Sequence, residues 1–156
     1  MTVLASYSFP AGTGLSNVKV RGFSFGRYKN NTGANQNLTF TAVFNGITLV
    51  SQAISVPTST QPQAWNAWLH VGFGKGIVAA GGSATISGNL DARISNASDT
   101  GTFTGSYVAA NILQTFSNSY STFVNSAALN LLTFNLNPAG VANEVLEIDI
   151  GYLEAL

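Results

Sequence analysis

The chain has 156 residues, no cysteine and charged side chains at only 8% of positions, with a formal net charge of zero. That length is the size of one domain, and the missing cysteines exclude disulfides and thiolate metal sites. An ordinary soluble domain is about 25% charged and a phosphate-binding one carries a basic excess, so the neutral balance argues against a nucleic-acid partner.

Serine, threonine, asparagine and glycine stand where charge is usually found. Such a surface repels copies of itself weakly. Interface cores are depleted in charge, so the expectation is a surface partly covered by partner subunits. No apolar run reaches the about 18 residues of a membrane span. The opening MTVLASYSFP has no basic region or long apolar core, and no signal peptide is expected there.

In chain order, Val3–Phe9 reads as a first strand and PAGTG at 10–14 as a turn. Val18–Tyr28 follows and contains RGFSFGRY. Arg21, Gly22, Phe23, Phe25 and Tyr28 fit the RNA-recognition fingerprint, whereas Ser24 and Gly26 do not. That fingerprint belongs on a strand preceded by a β-α-β unit, and no helical pattern precedes Arg21. The expectation is therefore a strand with Phe23 and Phe25 facing a core. Val18 and Val20 have the opposite parity, so a bulge at Gly22 would bring all four to one face.

After the turn material NNTGANQN at 30–37, Leu38, Phe40, Ala42 and Phe44 alternate with Thr39, Thr41 and Val43. Asn45-Gly46 and ITLV come next. A two-residue Asn-Gly loop between alternating runs is a strong hairpin signal, because both positions need positive φ. It sets Phe44 opposite Ile47 and Ala42 opposite Leu49. Gln52–Val56 reads as a further strand, PTSTQPQ at 57–63 as a loop, and Trp65–Phe73 as the tryptophan-bearing strand. Ile86, Gly88, Leu90, Ala92 and Ile94 alternate with Ser87, Asn89, Asp91 and Arg93. Thr102–Ala109, Ile112–Phe116 and Leu129–Leu136 are weaker strands, and a short helical turn fits 125–129. NPAG at 137–140 precedes Leu146, Ile148, Ile150 and Tyr152, which alternate with Glu147, Asp149 and Gly151. About eight to nine short strands with turn residues between them predict an all-β fold, an antiparallel β-sandwich of jelly-roll type in a single domain over 1–156.

Charge is concentrated at two places. Lys19, Arg21, Arg27 and Lys29 are four of the six basic residues, and Glu144, Glu147, Asp149 and Glu154 are four of the six acidic ones. Complementary groups set register and partner choice. These eight are candidate subunit-interface charges, pairing either between strands of one subunit or across a boundary. Trp65 and Trp68 lie near Gln63, Asn66 and His70, an amide-rich setting in which exposed tryptophan would stack on a sugar ring. They are the candidate glycan-binding residues of an alternative reading.

Catalytic signals are weak. His70 is the only histidine, and no serine sits in a G-x-S-x-G elbow. SNASDTG at 95–101 offers oxygen donors without the calcium-loop spacing. GFGKG at 72–76 lacks the spacing and helix of a phosphate loop, and no two carboxylates stand out as a glycosidase pair. Sequons begin at Asn30, Asn37 and Asn96 in a chain rich in Asn and Thr. A non-enzymatic protein without cofactor or metal is expected.

Taken whole, the chain resembles small jelly-roll structural proteins of tailed-bacteriophage virions. The likeness lies in an order of elements: YSFPAGTG, a strand ending in Tyr28, the loop Asn30 to Gly33, the strand Leu38 to Phe44, the G-x-T turn Gly46 to Thr48, the Ser/Ala-rich Gln52 to Pro57, a tryptophan-bearing strand, and EVLEIDIGYLEAL. The resemblance implies a capsid decoration (cement) protein on the outer surface of the virion. Such a protein is usually a homotrimer and binds the major capsid protein, not nucleic acid or membrane. Its alternative is a tail-fibre tip, a lectin-like module recognising host glycan. It implies no catalytic residue.

Overall fold

A computed structural model describes residues 1–10, 15, 17–74, 84–95, 110–120 and 130–156, without the side chains of 84–85 and 110–120. The expected strand at 102–109 and the helical turn at 125–129 lie outside the described residues, as do the sequon at Asn96 and most of SNASDTG. Nine strands are described: β1 (Thr2–Phe9), β2 (Lys19–Asn30), β3 (Gln36–Phe44), β4 (Ile47–Val56), β5 (Gln63–Phe73), β6 (Ala84–Ile94), β7 (Ala110–Tyr120), β8 (Asn130–Asn137) and β9 (Glu144–Ala155). They form two antiparallel sheets, one ordered β1-β8-β3-β4 and one ordered β7-β6-β5-β2-β9. Alternating apolar residues have built the expected β-sandwich. A ribbon rolled into an eight-stranded jelly roll pairs first strand with eighth, second with seventh, third with sixth and fourth with fifth. Counted over β2–β9, three of these pairings are present, β2 with β9, β3 with β8 and β5 with β6, while β4 and β7 lie in different sheets.

The core follows the period of two. Leu38, Phe40, Ala42 and Phe44 of β3 and Leu132, Phe134 and Leu136 of β8 point inward from the four-stranded sheet. Trp65, Ala67, Leu69, Val71 and Phe73 of β5, with Ile86, Leu90, Ala92 and Ile94 of β6, point back at them. Rings cross the gap edge to face: Phe40 lies 5.7 Å from Trp65, and Phe9 and Phe44 lie 5.5 and 5.1 Å from Phe73. Burying each such side chain contributes about 1.5–3 kcal/mol before ordering costs. Trp65 is therefore a core residue, 2% exposed. It cannot serve the glycan site proposed for it from sequence.

The Asn-Gly hairpin forms as predicted, with φ of 47° at Asn45 and 81° at Gly46. Its tip is tied to β8. The Asn45 side chain donates to Asn130 Oδ1 at 2.8 Å and accepts from the Leu131 amide at 2.8 Å. Phe44 faces Ile47, but Ala42 faces Val50 rather than Leu49, because a register shift follows Ala42. The loop after β2 is organised by Asn30, which is buried. Its amide nitrogen donates to the carbonyls of Ala34 at 2.8 Å and Val56 at 2.9 Å, and its oxygen accepts from the Thr32 hydroxyl at 2.8 Å.

The facing of β2 corrects the sequence reading. Val20, Gly22, Ser24, Gly26, Tyr28 and Asn30 are buried, while Phe23 and Phe25 are half-buried on the opposite face. No bulge occurs at Gly22, since the β2–β5 register runs unbroken from Lys19 to Tyr28. The inward positions 22, 24 and 26 are small because neighbours come close. A β-carbon on Gly26 would lie 2.0 Å from the Glu147 carbonyl oxygen and 2.9 Å from Trp65 Cζ2. One on Gly151 would lie 2.2 Å from the Leu4 carbonyl oxygen, where β9 meets β1 of the other sheet. The bulge lies instead in β9. Phe25 pairs with Ile150 and Gly26 with Ile148, so Asp149 is the extra residue. It breaks the single parity expected of the last strand. Leu146 and Leu153 pack against the core, while Ile150 and Tyr152 point outward.

Candidate functional site: an aromatic face on the five-stranded sheet

Every residue of the outward face of β2 has odd number. Lys19, Arg21, Arg27 and Lys29 sit there because a lone charge buried in a sandwich core is costly. Phe23 and Phe25 share their parity, so the strand puts two phenylalanines between two pairs of cations. Register extends the pattern sideways. Tyr152 of β9, Phe23 of β2, Trp68 of β5 and Asp91 of β6 stand abreast in one row. Ile150, Phe25, Asn66 and Arg93 form the next. Glu154, Arg21, His70 and Asn89 flank the aromatic row on its other side.

The rings touch. Phe23 lies 4.1 Å from Trp68 with planes tilted by 37°, 5.7 Å from Phe25 and 6.3 Å from Tyr152. The contacts with Phe25 and Tyr152 have separations favourable for aromatic quadrupoles, and Phe23 and Trp68 lie closer still. The cluster nevertheless stays wet: Trp68 is 41% exposed, Tyr152 39% and Ile150 48%.

The charges beside the rings are matched in place. The Arg21 guanidinium donates to the Glu154 carboxylate, and that bond and charge raise its pKa further. Arg93 grips Asp91 with two bonds, Nη2 to Oδ2 at 2.7 Å and Nε to Oδ1 at 3.2 Å. Arg27 lies opposite Glu147 in the β2–β9 register. Exposed pairs of this kind add little stability, but they leave a face with little net charge around its rings.

The eight candidate interface charges therefore divide. The basic and acidic clusters do meet, and they meet inside one chain: Arg21 with Glu154, and Arg27 across from Glu147. Lys19 and Lys29 lie at the two ends of β2, opposite Gly72 and Val145. Asp149 occupies the bulge. Glu144 is a loop anchor, accepting from the amides of Gly140 at 2.8 Å and Val141 at 3.0 Å and from the Tyr28 hydroxyl. Burial, then the Glu144 bond, pushes the Tyr28 phenol well above its ordinary pKa. His70 is exposed on the aromatic face between Arg21 and Asn89. Asn30, at the start of one sequon, has its amide group bonded within the loop.

Among the described residues no three His, Cys, Asp or Glu side chains gather as metal ligands, and no helix is long and apolar enough to cross a membrane. What the face offers is ring area, amides at Asn66 and Asn89, and neutralised charge: the chemistry of docking. Sequence reasoning singled out Trp68 and missed Phe23, Phe25, Ile150 and Tyr152 as surface. A signal was present in β2, where the phenylalanines share the parity of four cations. Comparison with family profiles, with curated proteins and with solved structures gives no match.

Proposed function

We propose that this chain is a non-enzymatic structural protein of the virion-decoration type, which assembles laterally through the outward face of its five-stranded sheet. The observation that supports this most is the surface cluster of exposed Trp68, Ile150 and Tyr152 around half-buried Phe23 and Phe25, in a chain with so little charge. Contiguous exposed apolar surface rimmed by polar groups is typical of interaction sites, and aromatic residues are enriched at interface cores. The virion role itself rests on the sequence resemblance. An assembly of several copies on a repeating shell gains avidity without stronger individual contacts.

The test is direct. Gold-labelled antibody against the purified chain is applied to particles from its source and imaged by electron microscopy. Regular labelling over the heads is the expected result; particles that carry no label refute the role. Label confined to tail tips selects the second reading, a glycan-recognising tip, which is favoured by Trp68 standing exposed beside Asn66, Asn89 and His70. That reading requires glycan-array signals that vanish in Trp68→Ala.

A further inference from the structure

We propose that the aromatic face is occupied by a second copy of this chain, packed face to face about a two-fold axis. The proposal rests on reading that face as a docking surface and names what docks there.

An isologous contact lays a patch against the same patch. Any unbalanced charge then meets its like, at a cost of several kcal/mol for close pairs. Beside the rings the charges are balanced where they stand, Arg21 with Glu154 and Arg93 with Asp91, with Arg27 opposite Glu147; Lys19 and Lys29 lie away from them at the two ends of β2. A strongly acidic or basic partner would gain little from the surface around the rings, where a copy of itself meets no unbalanced charge.

Five strands about 4.8 Å apart, each about ten residues long at about 3.3 Å per residue, cover about 800 Å², the per-partner area of a standard interface. Two such sheets can stack as any sandwich does, about 10 Å apart, with the rings filling the gap.

The face and the edge of this sheet differ. β9 is an outermost strand of its sheet, which is the usual site of strand addition. Its bulge at Asp149 and the charges of Glu147 and Asp149 oppose pairing along that edge. Apposition of faces needs no free strand edge.

Light scattering coupled to gel filtration, together with sedimentation equilibrium, provides the test. The wild-type chain should have twice its 16.2 kDa mass. Dilution should shift tryptophan emission to the red as Trp68 becomes wet, while Trp65 stays in the core. Trp68→Asp should weaken the pair at least tenfold while its far-ultraviolet circular dichroism stays that of the wild type. Tyr152→Asp, at the exposed margin of the row, should do the same and decides the matter if Trp68→Asp fails to fold. Ser55→Asp, exposed on the other sheet, should leave the pair intact. A monomer at every concentration, a trimer, or a dimer indifferent to both aspartates overturns the proposal. A monomer whose particle labelling still depends on Trp68 removes the self-contact and leaves the docking reading standing. A dimer broken by Trp68→Asp in a protein that no particle carries does the reverse.

Discussion

The inward face of β2 carries Val20, Gly22, Ser24, Gly26, Tyr28 and Asn30, and its outward face carries Lys19, Arg21, Phe23, Phe25, Arg27 and Lys29. Both phenylalanines are on the outside, while the middle of the inward face holds only Gly22, Ser24 and Gly26. Space explains the inversion. Inward, β2 lies where Trp65, Leu153 and the bulged part of β9 crowd in, so that a methyl group at Gly26 has nowhere to go. The Ser24 hydroxyl donates to the Ile150 carbonyl at 2.7 Å, which makes it useful in that tight place. Outward, nothing within the chain limits size, and the rings spread over one another. Burial on this strand is decided by the distance to the next backbone, and hydropathy alone misassigns it.

Substitutions on the two faces should therefore fail in different ways. The largest effect belongs inside: Gly26→Val must displace the Glu147 carbonyl or the Trp65 ring and should cost about 3 kcal/mol or more, read from urea unfolding. Gly22→Val is the gentler companion, since the nearest atom there is the mobile Leu153 Cδ2; equal losses at the two glycines would undo the argument from space.

Tyr28→Phe comes next, with an expected loss of about 1–2 kcal/mol because the Glu144 carboxylate loses a donor. Its signature is pH. The folded state holds the phenol's pKa above the unfolded value, so the folded chain keeps a proton that the unfolded chain releases. That contribution is complete below about pH 10 and is lost as pH rises above it. Wild-type melting temperature should fall there, and the Tyr28→Phe variant should lack that component.

On the outward face Phe23→Ser should cost about 1 kcal/mol of stability, since the ring is only half-buried, yet shift the monomer–dimer balance measured by sedimentation. Smallest is Arg21→Ala, for which calorimetry should find no resolvable change in melting temperature, because its partner Glu154 is exposed with it. A large loss would mean that the pair organises β2 against β9.

Much of the fold was legible because its determinants are local. Leu38, Phe40, Ala42 and Phe44 announce a half-buried strand, and Asn45-Gly46 announces its turn. What escaped depends on neighbours distant in sequence. Nothing near Leu146 shows that Asp149 is an extra residue, since the count exists only against Phe25 and Gly26. Trp65 and Trp68 differ by an odd number and so must face opposite ways; choosing which one is wet requires knowing that Phe40 waits inside. The site was legible in its charges, because cations at 19, 21, 27 and 29 fix the outer side of β2, and illegible in its rings only while hydropathy was given precedence over them.

The bulge at Asp149 carries a consequence for growth. A long last strand with Val145, Ile148 and Ile150 exposed is the raw material of a fibre, in which each new chain would extend the ladder of the one before without end. One surplus acidic residue bends that ladder and sets a negative charge in its middle. By spoiling the edge and leaving the flat side clean, it favours an assembly that stops at a fixed number of subunits over one that never stops.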